Sequence, residues 1–114
     1  MVKTLSIFKR KPGLTPEEFL QYWKDEHAPL AARVIPGLRK YVQNHRLKIS
    51  GFEFEIDGIA EIWWDNLEAL QSYLAWRQTE EAKVLIEDEN KFIDKSSWQR
   101  FFAVEYVVVE QDAK

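Results

Sequence analysis

The chain has no cysteine, and glycine is scarce, with four in 114 residues. The first absence removes disulfides, thiolate nucleophiles and thiolate metal sites together, and leaves the redox compartment open. The second leaves little material for a phosphate-cradling loop: no glycine-rich turn follows a strand, and no serine sits in a strand-to-helix elbow, so nucleotide cofactors are not expected. A basic excess is also missing. The net charge is -3, with 16 Lys and Arg scattered among 19 Asp and Glu. The one basic cluster, Lys9-Arg10-Lys11, is too small for a polyanion, which takes several neutralised phosphates, and reads as a solvated strand end. Nucleic acid is therefore not an expected partner. No apolar run approaches a membrane span or a signal-peptide core, so the sequence predicts no membrane association and a cytoplasmic location.

What is present is a rich apolar supply for a small domain. Hydrophobic residues make up 46% of the chain and aromatics 14%, including five tryptophans. With no internal repeat or low-complexity tract, residues 1–114 read as a single domain. Its core must be modest, and the aromatic surplus suggests a pocket or a partner surface.

Val2 to Lys9 is β-rich and stops at Pro12-Gly13. Thr15, Pro16 and Glu18 then form a helix start, with a capping threonine, a proline in the first turn and a glutamate able to reach back. Phe19, Trp23, His27 and Leu30 follow at spacings of three and four, extended by Ala31 and Val34, until Pro36-Gly37 closes the helix. Residues 38–49 and 56–65 read as second and third strands, separated by a loop around Ser50-Gly51. Asp65, with Glu68 three places on, opens a second helix bearing Leu67, Leu70 and Leu74. Glu80 to Asp94 is acidic and reads as a break with a short extra turn. Residues 98–110, "WQRFFAVEYVVVE", read as the last strand. The order β-α-β-β-α-β predicts an α+β, ferredoxin-like fold: a four-stranded antiparallel sheet with two helices on one face.

Trp63 and Trp64 are adjacent on the third strand and must emerge on opposite faces. Ile56, Ala60, Ile62 and Trp64 form the more apolar set, assigned to the helix side. Ile59 and Trp63 fall on the other face with Asp57, Glu61 and Asp65. The last strand carries consecutive apolar residues, as in strands covered on both sides. An uncovered apolar face is costly, so the sequence predicts a homodimer joined sheet face to sheet face.

His27 interrupts an otherwise apolar stripe, and three readings compete. It can be a core histidine satisfied by hydrogen bonds. It can be a metal ligand with His45 and Glu61, although no local ligand spacing supports this and Glu61 belongs to the opposite sheet face. Or it can move protons in a pocket between helix and sheet, since histidine alone titrates near neutrality without perturbation. Tyr41, Gln43 and His45 share one strand face, and Tyr41 could bring a phenol to His27 over an aromatic floor that includes Trp23. Tyr41 and Trp23 read equally well as core packing.

Five stretches, "KRKPGLTPEEF", "YWKDEHAPL", "PGLRKYVQNH", "DGIAEIWWDNLEAL" and "KFIDKSSWQRFFAVEYVV", resemble in order the EthD-type proteins of the dimeric α+β barrel superfamily. The resemblance runs nearly end to end. It implies a dimeric barrel of ferredoxin-like subunits, each with a cavity between helices and sheet. Relatives include a muconolactone isomerase, decarboxylases and anthrone oxygenases acting on polyketide-derived aromatics, and proteins of ether-degrading systems. It implies His27 as an acid-base residue, Tyr41 as a pocket donor and His45 as a further site residue, with no metal or nucleotide cofactor. The expectation is acid-base chemistry (isomerisation, decarboxylation or oxygenation) on a cyclic carbonyl, lactone or polyketide-type aromatic. The alternative is a non-catalytic dimeric protein that binds a small hydrophobic or aromatic ligand, or serves as an accessory in a catabolic or biosynthetic pathway. Membership fixes fold better than reaction.

Overall fold

A computed structural model describes residues 1–112. Four strands, β1 (Val2–Arg10), β2 (Lys40–His45), β3 (Gly58–Trp64) and β4 (Ile93–Val104), form one antiparallel sheet in the order β2-β3-β1-β4. This is the ferredoxin-like arrangement that the element order predicts, with the first and third strands central. Among the described residues no helix is long and apolar enough to cross a membrane.

The capping box forms as the sequence requires. Thr15 accepts from the Glu18 N–H, and the Glu18 carboxylate accepts from the Thr15 N–H, starting α1 (Pro16–Tyr22). The helix then widens into a π turn at Trp23–His27 before resuming as α2 (Ala28–Val34). There the Ala28 N–H reaches back to the Trp23 carbonyl. Pro29 has no N–H to give the carbonyl of Asp25, so the ladder has a gap where it widens. Gly37 turns the chain into β2 at φ 74°, a conformation glycine reaches without steric cost.

The remaining boundaries depart from the pattern. The second helix, α3 (Leu67–Trp76), is capped one residue later than expected, by Asn66, whose side chain accepts from the Ala69 N–H. The acidic stretch holds more than a short turn: Glu80–Ala82 leads directly into a full helix, α4 (Lys83–Phe92). β2 and β3 are shorter than read. β4 begins at Ile93, bulges against β1 between Ile7 and Lys9, and ends at Val104. Tyr106–Val109 lie beyond it and are exposed, so the expected strand over 98–110 is misplaced by about five residues at each end. Arg10 is not simply solvated, since Asp57 receives both its backbone N–H (2.8 Å) and its guanidinium (2.9 Å).

Trp64 does face the helices. It is fully buried, donates to Thr4 (3.1 Å) and stacks on Tyr73 of α3. Trp63 does face the other way, but it needs no second protomer for cover. Lys3 and Lys40 flank it with their ammonium groups 5.0 and 4.6 Å from the ring centre, and it is 7% exposed. Lysine stems cover apolar surface while their charged ends attract the ring face. The apolar face left half open consists instead of Leu5, Ile7, Val42 and Ile59, with Phe101 exposed.

The helix side has two packed clusters. Phe8, Phe19, Trp23, Ala60, Phe92 and Ile93 form one; Ala31, Ile35, Trp64, Leu70, Tyr73 and Leu85 form the other. Tyr41 packs against both, and the site lies where they meet.

Candidate functional site

Between the clusters is a narrow cavity of about 30 Å³, whose wall includes Ser6, Trp23, His27, Tyr41, Glu89 and Trp98. That volume admits water, whereas small-molecule sites run to roughly 300 Å³ or more. The structure therefore brings His27, Tyr41 and Trp23 to one cavity. His45 is placed elsewhere: its ring stacks on Trp23 with centres 4.9 Å apart, its Nε2 bonds the Gln43 side chain (2.8 Å), and it is absent from the cavity wall. Its pKa is lowered, first by burial and then by the charge of Lys24.

His27 is placed by the π turn and α4 together. Its ring lies 4.8 Å from that of Phe92, and its Nδ1 is 2.8 Å from Oδ2 of Asp88 on α4. A carboxylate only accepts, so Nδ1 carries the proton and Nε2 is left as the basic nitrogen. Oδ1 of Asp88 accepts from the Tyr22 hydroxyl at 2.5 Å. Burial and then the Asp88 carboxylate raise the Tyr22 pKa to about 12, so it stays protonated as a donor. Asp88 is 8% exposed, and its two oxygens are thus committed to a phenol and an imidazole. Burial is the largest influence on His27 and lowers its pKa, outweighing the upward pull of Asp88 and Glu89. A neutral imidazole with an oriented Nδ1–H can accept a proton on Nε2 at neutral pH.

Tyr41 is held on its acceptor side. The Trp23 indole N–H (3.2 Å) and the Gln43 amide (3.0 Å) both donate to its oxygen, and the same amide donates to the Trp23 carbonyl (2.9 Å). The phenolic proton remains available to donate elsewhere. Burial raises the Tyr41 pKa against the opposing effect of those two hydrogen bonds, so the group is a neutral donor.

Glu89, next to Asp88, is buried and held by Arg77 through two 2.9 Å bonds and by Lys95 at 2.9 Å. Burial opposes its ionisation, but these cations outweigh that and its pKa is lowered. Sequence reasoning missed Asp88, Glu89, Arg77 and Tyr22. One signal was available: Leu85, Asp88, Glu89 and Phe92 fall at the spacing of one helix face.

His27, His45 and Glu61, the trio weighed as a metal site, do not come together. Glu61 is on the opposite sheet face, bonded to Lys3 (2.8 Å) and Asn44 (2.9 Å), and among the described residues no three His, Cys, Asp or Glu side chains gather as a metal site.

The family model of the EthD domain matches residues 11–96. No curated protein matches the sequence. Among solved structures, an EthD family protein from Bacillus halodurans is 25% identical, with a TM-score of 0.71, over 93% of this chain and 99% of that one. A protein from Bacteroides fragilis, described as dimeric, of unknown function and ferredoxin-like, is 19% identical with a TM-score of 0.61, over 90% and 93% of the two chains. SnoaB from Streptomyces nogalater, described as a cofactor-independent oxygenase, is 13% identical with a TM-score of 0.61, over 96% and 97%. At those lower identities the likeness is one of fold.

Proposed function

The chain belongs to the EthD-domain family, and from that premise we propose that it catalyses proton transfer on a small cyclic carbonyl, lactone or phenolic compound, with His27 as the base. The observation that carries this reading is the Asp88–His27 pair: on a residue of the cavity wall, a buried carboxylate 2.8 Å from Nδ1 fixes the tautomer that leaves Nε2 basic. Nε2 takes a proton from the carbon next to the carbonyl, the developing enolate oxygen accepts the Tyr41 O–H, and the imidazolium returns the proton to oxygen or to another carbon. Trp23 supplies an apolar wall and, through its indole N–H, holds the phenol. General acid-base help of this kind contributes about 10²- to 10⁴-fold. SnoaB, which shares the fold, is described as a cofactor-independent oxygenase, which supports a reading in which side chains alone carry the chemistry.

The test is deuterium uptake next to the carbonyl of a panel of cyclic ketones and γ-lactones in D2O, followed by proton NMR. The proposal predicts enzyme-dependent exchange that His27→Ala abolishes and Tyr41→Phe slows. Exchange that survives His27→Ala, or is absent across the panel, overturns it.

A second reading has a specific observation in its favour. Its support is that the cavity of about 30 Å³ is far smaller than a substrate ring needs, so no substrate is held ready against His27; the cavity must open for either reading. This reading predicts ligand uptake with no conversion, and binding retained in His27→Gln.

The assembly belongs to the same proposal. Leu5, Ile7, Val42, Ile59 and Phe101 share the sheet face away from the helices, and we place a second copy on it. The dimeric description of the Bacteroides fragilis protein supports this. Sedimentation at micromolar concentration is expected to show a dimer that Phe101→Asp weakens; a lone, folded protomer in the unmodified protein would remove this part of the proposal.

A further inference from the structure

Around two residues of the cavity wall, Trp98 and Glu89, there is a charge imbalance that proton transfer by His27 does not explain. Trp98 packs against Phe8 with ring centres 5.8 Å apart, and three cations surround it: Lys95, Arg100 and Arg77 lie 4.9, 5.0 and 5.3 Å from its ring centre. One carboxylate serves them, Glu89, and its oxygens are taken by Arg77 and Lys95. Arg100 has no ion pair among the described residues. It stands on the helix-side face of β4, opposite Ser6 of the cavity wall, and is exposed. The Trp98 indole N–H is the second anomaly, being buried with no hydrogen-bond partner among the described residues. Leaving a buried donor unpaired is unfavourable, and its cost is recovered by any ligand that accepts from it.

From these two observations we propose that this part of the cavity wall recognises the carboxylate of a planar, ring-bearing acid, with one oxygen on the Arg100 guanidinium and the other accepting from the Trp98 N–H. A guanidinium and an indole N–H together offer the two donors a carboxylate takes, in surroundings where a neutral amide gains much less. Lys95 and Arg77 add net positive potential, with Glu89 already neutralised. Binding draws Arg100 off the ring face, and the cavity of about 30 Å³ must widen to take the ligand ring. The inference rests on the proposed use of the cavity for a small molecule and narrows its class to organic acids. It does not depend on whether His27 reacts.

The test uses benzoate as the probe and benzamide as its neutral counterpart, each titrated against the full ¹⁵N-labelled chain while the tryptophan indole resonances are followed. Loss of one resonance in Trp98→Phe identifies the Trp98 signal. Benzoate is expected to move that signal downfield and saturably, benzamide to leave it in place, and Arg100→Gln to weaken benzoate at least about tenfold, as loss of a charge-assisted bond should. The benzoate response is read without turnover, so absence of deuterium exchange in the proton-transfer assay leaves this result intact. Equal responses to benzoate and benzamide, an unmoved Trp98 resonance, or unchanged affinity in Arg100→Gln overturns the proposal. Unchanged thermal unfolding of Arg100→Gln without ligand separates a lost contact from a lost fold.

Discussion

Replacing Asp88 by asparagine probes the pair on which the site turns. The carboxylate accepts from two donors, Tyr22 on Oδ1 (2.5 Å) and His27 on Oδ2 (2.8 Å), whereas an amide has one accepting and one donating end. With its oxygen toward His27, its NH2 meets the Tyr22 oxygen, which can rotate its proton away and accept. With the ends reversed, the NH2 donates to Nδ1 and drives the imidazole proton to Nε2. Either way the partners remain satisfied, so the fold survives, but the tautomer is no longer imposed. Hydrogen bonds to charged groups contribute about 1.5–3 kcal/mol and neutral ones about 0.5–1.5, so exchanging two costs about 2 kcal/mol before relief of the carboxylate's burial. A net loss of about 1–2 kcal/mol lowers Tm by roughly 4–15 °C in a domain of this size. Asp88→Ala leaves the His27 Nδ1–H without its acceptor in a buried position and costs about 1–3 kcal/mol more. Thermal and urea unfolding followed by tryptophan fluorescence measures both. If Asp88→Asn unfolds with the unmodified protein, or Asp88→Ala no earlier than Asp88→Asn, the carboxylate does not hold the imidazole and the reasoning fails.

Three further outcomes follow from the packing. Because burial depresses the His27 pKa below 6.5, the unfolded chain takes up this proton first as pH falls. The contribution of His27 to stability is therefore complete above pH 6.5 and lost as pH drops from there through the folded value; His27→Gln should flatten that part of the urea-midpoint profile. Gly58→Ala puts a Cβ 2.7 Å from Trp23 and 3.2 Å from Phe8, both fixed in the core, and should cost about 1–3 kcal/mol in urea unfolding. Arg77→Gln strips Glu89 of its two-pronged partner and should cost about 3 kcal/mol, near the lower end for breaking a buried pair because Lys95 remains, and a change below 1 kcal/mol would show the pair is dispensable.

Local signals with one interpretation were legible in the sequence. Thr15, Pro16 and Glu18 specify their helix start by hydrogen-bond chemistry alone, and the period of a strand separates Trp63 from Trp64 whatever the tertiary setting. Periodicity found the helix bearing His27 and the strand bearing Tyr41, and the family resemblance supplied the roles expected of them. Helix α4 was hidden because half its buried face is Asp88 and Glu89, which erases the hydrophobic period; their burial is favourable only beside His27, Tyr22, Arg77 and Lys95, which come from elsewhere in the chain. The start of β4 was hidden for a related reason. Asp94, Ser96 and Ser97 bond one another locally and read as a loop, while the bulge that admits them to the sheet depends on pairing with β1. The cover over Trp63 also depended on alignment between strands, since Lys3 and Lys40 are its direct neighbours on β1 and β2.

Nitrogen-15 NMR of the histidine rings, observed at about pH 7.5 where an unperturbed imidazole is mostly neutral, addresses the central claim most directly. The account predicts a His27 ring protonated at Nδ1 and bare at Nε2, and a shift toward mixed tautomers in Asp88→Asn. A ring protonated at Nε2 alone, or a doubly protonated imidazolium, would contradict it.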